Sequence, residues 1–177
     1  MKGWYWRVLF GIVLLVFGLI ALVFPIQTAA TLVIFIGAFL IVAGIFLLLG
    51  GATAKEMGRL RWIPVLEGLL SLIVGMMFIV FPGWSLVALL FLFAAWMLVW
   101  GVFEITGGLI MPEGVSTLLG KYSRGLYVFM GIFSIILAFL LFAFPGDGII
   151  ALTWVIGIYA IIIGVISIVD GGSRAKG

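Results

Sequence analysis

The stretch VFPIQ, residues 23–27, interrupts a long apolar run with the pair Phe24-Pro25. A proline in mid-helix removes a backbone hydrogen bond and clashes with the preceding turn, at a cost of about 3 kcal/mol or more. The chain repeats the pair at Phe81-Pro82 and at Phe144-Pro145, each time between two apolar runs. We therefore interpret the three pairs as the closures of helical hairpins and not as kinks within single helices.

The composition defines the class of protein. Of the 177 residues, 67% are hydrophobic and 8% are charged, whereas an ordinary soluble domain carries about 25% charged residues. The sequence therefore predicts an all-α integral membrane protein. It has no cysteine and no histidine, which removes thiolate chemistry, the usual metal ligands and the commonest general base. No nucleotide or metal motif is present, so we expect no enzyme activity, no cofactor and no metal site.

Six membrane spans follow from the breaks in the apolar sequence, since each span needs about 20 residues. The Phe-Pro pairs are assigned to tight turns, "PIQT", "PGW" and "PGDG", whose key residues are Pro25, Pro82, Pro145 and Asp147. The predicted spans are approximately Val8–Phe24, Thr28–Gly50, Trp62–Phe81, Trp84–Ile110, Gly125–Phe144 and Gly148–Val169. They form one membrane domain, residues 1–177, with hairpin repeats at about 4–51, 61–110 and 124–172 and polar linkers at 52–60 and 111–123.

The positive charges predict the orientation. All nine lysines and arginines lie near the termini or in and directly beside the two linkers, and none lies near a Phe-Pro pair. The positive-inside rule therefore places both termini and both linkers in the cytoplasm, with the protein in the cell membrane. This distribution also accounts for the net charge of +3, so we expect no nucleic-acid partner.

Small residues recur in a fixed register around the three prolines, which are 57 and 63 residues apart. Glycine or alanine stands 14 and 7 residues before each proline and 12, 19 and 26 residues after it. A spacing of seven keeps small residues on one seam of a packed helix; the alternative is that they line a permeation path. The predicted packing seam consists of Gly11, Gly18, Gly37, Gly44, Gly68, Gly75, Gly101, Gly131, Gly157 and Gly164.

Each repeat crosses the membrane twice, so successive repeats have the same orientation and predict pseudo-threefold symmetry about the membrane normal. The pattern, carried by "GIVLLVFGLIALVFP" with "GAFLIVAGIF", by "GLLSLIVGMMFIVFP" with "AAWMLVWGVFEI" and by "GIFSIILAFLLFAFP" with "GIYAIIIGVISI", resembles the HdeD family of small bacterial and archaeal membrane proteins. The resemblance implies a repeat of unknown function, an association with acid resistance and no defined catalytic residue.

Two glutamates, Glu67 and Glu104, fall inside predicted spans, where ionisable residues are rare and are functional candidates. One interpretation is that they reach the interface and pair with Arg7, Arg59 or Arg61. The other is that they form an intramembrane pair that senses or passes protons, since removal from water favours the uncharged form of a carboxyl group. Asp147 is the only ionisable side chain on the predicted outer face, which should therefore respond little to external acid.

Two functions remain open from the sequence. The first is a non-enzymatic membrane protein of the HdeD type, acting in envelope stress or acid tolerance through intramembrane association. Its partners would be the lipid bilayer and either further copies of the chain or other membrane proteins. The alternative is a small proton- or solute-conducting transporter or channel that uses Glu67 and Glu104.

Overall fold

Six α-helices form the protein in the computed structural model, which describes residues 4–54, 58, 60–110 and 123–175. All six are long and apolar enough to cross a bilayer, which confirms the all-α fold and is consistent with a membrane protein of six spans. The predicted linkers fall largely outside the described residues. The helices are α1 (Trp4–Val23), α2 (Pro25–Thr53), α3 (Trp62–Val80), α4 (Pro82–Ile110), α5 (Ser123–Ala143) and α6 (Pro145–Ala175).

The helix that follows each Phe-Pro pair is longer than the helix before it. The first helices of the repeats have 20, 19 and 21 residues, and the second helices have 29, 29 and 31. A helix of about 20 residues spans the hydrocarbon core of about 30 Å. The second helices are long enough to tilt or to extend beyond it.

The turns at the Phe-Pro pairs are shorter than predicted, and this corrects the assignment of Pro25, Pro82, Pro145 and Asp147 to turns. Each proline is the first residue of a helix, and Asp147 lies in the first turn of α6. Only the preceding phenylalanine leaves the helical conformation, with φ −126° and ψ 63° at Phe24. The reason is that proline disfavours the α conformation of the residue before it, while its own fixed φ suits the first helical position.

A single residue suffices to redirect the chain sharply. The hydroxyl group of Ser85 donates a hydrogen bond of 3.3 Å to the carbonyl oxygen of Met77, eight residues earlier. In a continuous helix, eight residues would separate these groups by about 12 Å along the axis. The backbone hydrogen bonds nevertheless continue up to the break on both sides, from Phe81 to Met77 and from Ser85 to Phe81.

The chain groups into two compact units. One unit contains the residues up to Leu86 together with those from Ile149 onward, and therefore α1, α2, α3 and most of α6. The other unit, Val87–Gly148, contains most of α4 and all of α5. Each unit holds its helices together through the small-residue register that the sequence showed.

In the first unit, glycine seams join helices of different repeats. Helix α2 contacts α3 far more extensively than it contacts α1. A Cβ atom built on Gly44 would lie 2.8 Å from the carbonyl oxygen of Gly68, and a Cβ atom built on Gly68 would lie 2.8 Å from the carbonyl oxygen of Gly44. Helices α1 and α6 meet in the same register, since a Cβ on Gly11 would lie 2.6 Å from the carbonyl oxygen of Gly164.

The remaining glycines of these two seams repeat the pattern. Gly37 faces Gly75, and Gly18 faces Gly157. The heptad spacing predicts a stripe of small residues on each helix, but it does not say which neighbour the stripe contacts. The structure assigns it to helices that are joined by a linker, or that come from the first and the third repeat.

In the second unit, α4 and α5 use the same register. A Cβ atom on Gly101 would lie 2.7 Å from the carbonyl oxygen of Gly131, and one on Gly131 would lie 2.6 Å from that of Gly101. Where the other seams have glycine on both sides, this seam has Ala94 and Ala138, both with 0% exposure.

Small residues dominate the interior, and most large side chains lie on the surface. Among the described residues, no large side chain is fully buried. Three buried hydroxyl groups, those of Thr28, Ser85 and Thr153, donate hydrogen bonds of 2.7–2.9 Å to carbonyl oxygens four residues earlier in the sequence. This distribution suits lipid, where helices associate by close packing and an exposed apolar side chain carries no penalty.

We expect a disulfide to form between α1 and α6 in the double variant Val8→Cys/Gly171→Cys, because a Cβ on Gly171 would lie 2.6 Å from the Val8 side chain. The chain has no other cysteine, so oxidation should give one intramolecular species with altered mobility on a non-reducing gel. Val8→Cys/Gly172→Cys is the control, since nothing lies within 4 Å of a Cβ at Gly172. Equal cross-linking in both variants would contradict the α1–α6 seam.

We expect Gly44→Ala to destabilise the protein by about 1–3 kcal/mol, the usual cost of overpacking, because its Cβ must displace backbone atoms of α3. Gly50→Ala should instead stabilise it by up to about 1 kcal/mol, through helix propensity alone, since Gly50 has open space around it. Unfolding in mixed micelles measures both changes. The same sign for the two variants would argue against the seam as the source of stability.

Candidate functional site

Among the described residues, Glu104 is an ionisable residue within a membrane helix whose carboxylate accepts hydrogen bonds from two other side chains. It is half-buried on α4. The indole N–H of Trp100 donates a hydrogen bond of 3.1 Å to Oε1, and the hydroxyl group of Ser134 on α5 donates one of 3.3 Å to Oε2. Each carboxylate oxygen therefore has a donor of its own.

The helix geometry explains both contacts. Trp100 lies four residues before Glu104, so the two side chains are neighbours on one face of α4. Ser134 lies one turn from Gly131, at which α5 makes its backbone contact with Gly101 of α4. The close approach at this glycine pair allows the short serine side chain to reach the carboxylate. Sequence reasoning missed Ser134, because its role depends on knowing that α4 packs against α5.

Trp96 extends this surface by one further turn. Its ring stacks on that of Trp100 with 6.1 Å between the ring centroids, and both rings are more than half exposed. Both tryptophans are therefore surface residues of α4. We refer to Trp96, Trp100 and Glu104 together as the α4 ladder.

Glu67 has different surroundings. It is exposed on α3, and within the described part of the chain it makes no hydrogen bond or ion pair. Glu67 belongs to the first compact unit, whereas Glu104 belongs to the second. The predicted pairing of the two glutamates therefore remains a prediction.

The predicted arginine partners contact other groups. Arg7 on α1 forms an ion pair with Asp170 on α6. The guanidinium group of Arg61 lies over the ring of Trp62, 5.8 Å from the ring centroid. Arg59 lies outside the described residues. Arg7 therefore has a carboxylate partner on the neighbouring helix of its own seam, and its pairing with an intramembrane glutamate stays a prediction.

The remaining polar groups of the site region are satisfied locally. The hydroxyl group of Thr106 donates hydrogen bonds to the carbonyl oxygens of Val102 and Phe103 on its own helix. The guanidinium group of Arg124 donates a hydrogen bond of 3.1 Å to the carbonyl oxygen of Leu109. In the described ranges, no three acidic, histidine or cysteine side chains come together to hold a metal ion.

The fold and these surroundings define a small polytopic membrane protein built from repeated helix pairs. The family model described as a short repeat of unknown function (DUF308) matches the chain three times, at residues 9–80, 66–120 and 129–177. The chain belongs to this family, and the repeat that the family model describes is the domain of HdeD-type proteins. Comparison with curated proteins and with solved structures finds no match.

We expect Glu104→Leu and Ser134→Ala to be energetically coupled, by about 0.6 kcal/mol and at most about 1.7 kcal/mol, the range for hydrogen bonds between membrane helices. Leucine is the natural replacement for Glu104, since Leu47 occupies the equivalent position of the first repeat. A double-mutant cycle of unfolding in mixed micelles gives the coupling energy. The control cycle pairs Glu104→Leu with Thr106→Ala, which should be additive; the opposite ranking of the two cycles would contradict the Ser134 contact.

Proposed function

We propose that the chain is a non-enzymatic membrane protein of the HdeD type, which supports tolerance of acid or envelope stress by associating with other proteins within the bilayer. The observation that carries this proposal is the distribution of side chains. Among the described residues, the buried side chains are small, apolar or hydroxyl-bearing, and the buried hydroxyl groups donate to carbonyl oxygens four residues earlier in the sequence. Such an interior favours tight packing over conduction.

The surface of α2 supports an association within the membrane. Phe35, Phe39 and Phe46 are each 70% exposed, and their spacing of four and seven residues puts them on one face of the helix. Aromatic side chains bring a large contact area with few rotatable bonds. This phenylalanine ridge suits packing against a helix of another copy or of another membrane protein.

The placement in the membrane is part of the proposal. The lysines and arginines favour the cell membrane, with both termini in the cytoplasm. The common register of the three glycine seams supports a pseudo-threefold relation between the repeats. Asp147 would then be the one ionisable side chain at the outer face, in the first turn of α6. A face with so few titrating groups tolerates external acid.

We expect a host strain lacking this protein to lose survival after acid challenge, and the wild-type gene to restore it. The triple variant Phe35→Ala/Phe39→Ala/Phe46→Ala should fail to restore survival, because it removes the phenylalanine ridge. Phe129→Ala/Phe133→Ala, which truncates exposed rings on α5, is the control and should restore it. Full rescue by the α2 variant at equal membrane levels would contradict the proposal.

A transporter or channel is the second candidate, and Glu104 with its two donors is the observation that favours it. We expect liposomes that carry the purified protein to show no proton flux above that of empty liposomes under an imposed pH gradient. Flux that disappears in Glu67→Gln/Glu104→Gln would establish conduction through these carboxylates. Rescue of acid survival by the same double variant would separate the stress function from conduction.

A further inference from the structure

Helix α4 combines a groove on its surface with the α4 ladder. The groove has a volume of about 700 Å³ and a wholly apolar lining. It is lined by Leu89, Leu92, Phe93, Ala95, Trp96 and Val99. Trp96 belongs to both features, so the groove continues into the stacked ring of Trp100 and then to the carboxylate of Glu104.

The charge at the end of the groove has no oppositely charged partner among the described residues. Within the described residues, no lysine or arginine contacts Glu104, whose two donors are an indole and a hydroxyl group. A charged side chain within a membrane helix is costly unless a partner of opposite charge compensates it. Two other apolar grooves, on α1 and on α3, are also lined by uncharged residues. The α4 groove differs from them because it shares Trp96 with a stacked pair of rings that leads to a hydrogen-bonded carboxylate.

We propose that this surface binds a cationic amphiphile, with its ammonium group between Glu104 and the ring of Trp100 and its alkyl chain in the groove. A carboxylate beside an exposed indole is the chemistry that recognises quaternary ammonium groups, by charge and by the negative face of the ring. The eleven residues from Leu89 to Val99 extend about 15 Å along the helix, which suits a single alkyl chain. Binding here does not depend on the proposed stress function.

The order of groups along α4 argues for an amphiphile without phosphate. In a phospholipid headgroup, the phosphate lies between the ammonium group and the chains. Here that position falls beside Trp96 and Trp100, where the described groove residues are apolar and offer no cation. The guanidinium group of Arg124 instead donates a hydrogen bond to the carbonyl oxygen of Leu109, nine residues beyond Trp100 and five residues beyond Glu104.

The position of Glu104 makes the site reachable from the membrane surface. It lies six residues before the last residue of α4, Ile110, and therefore about 9 Å from the end of the helix. An amphiphile can place its cation at this depth while its chain stays in the hydrocarbon. The site thus requires no aqueous channel through the protein.

The test uses the full-length protein in uncharged maltoside micelles and an alkyltrimethylammonium probe with bromine on its chain, which quenches tryptophan fluorescence on contact. We expect quenching at a concentration about tenfold lower than for the brominated alkyl sulfate of equal chain length, the discrimination typical of one charge-assisted contact. Glu104→Gln should remove this preference while its amide oxygen still accepts a hydrogen bond from Trp100. Glu67→Gln, which changes the exposed glutamate of α3, should leave the preference intact.

A second variant, the sulfate probe and a competing lipid complete the test of this binding site. Trp96→Leu should weaken binding of the ammonium probe while the protein keeps its stability, because the groove loses its aromatic wall. Unchanged preference in Glu104→Gln, or equal binding of the sulfate probe by the wild-type protein, would overturn the proposal. Displacement of the probe by added phosphatidylethanolamine would overturn the choice of a phosphate-free ligand and assign the site to a lipid headgroup; no displacement would support it.

Discussion

Contact between glycine backbones is the interaction on which the rest of the structure depends. In each seam, the glycine 14 residues before a proline faces the glycine 19 residues after another, and a Cβ on either would lie 2.6–2.8 Å from the partner's carbonyl oxygen. Lipid offers no hydrophobic drive between helices, so their association relies on close packing of this kind. The approach also suits weak Cα–H···O contacts, which recur at helix–helix interfaces. The large side chains are left to the surface as a consequence.

Much of this fold could be predicted from the sequence because its signals are local. Apolar runs of sufficient length predict six spans, and the threefold register of small residues predicts a seam on every helix. The pairing of α2 with α3 could not be predicted, since a period of seven defines a stripe and not its neighbour. The width of the turns was also missed: proline restricts only the residue before it, so Phe24 leaves the helix and Pro25 already begins the next one.

The candidate site was predictable in part, for the same reason. Glu104 is conspicuous in an apolar helix, but its partner Ser134 lies 30 residues away and on the opposite side of a seam. The ion pair between Arg7 and Asp170 joins residues 163 positions apart, and a chain of six helices offers many such combinations. These contacts follow only once the register of the seams is known.

The middle repeat shows where a repeated architecture can acquire a specific function. Seam positions are restricted, because a larger side chain there must displace backbone atoms. The seam of α4 with α5 departs from the glycines of the other seams only by alanine on both sides, at Ala94 and Ala138. Positions on the outward faces carry no such restriction. There the second repeat has Trp100 and Glu104, where the first repeat has Ala43 and Leu47. A charge in lipid is costly, and the seam gains little stability from it, since a hydrogen bond between membrane helices contributes only about 0.6 kcal/mol on average. A carboxylate at this position therefore has a stronger physical rationale as a recognition group than as a structural one.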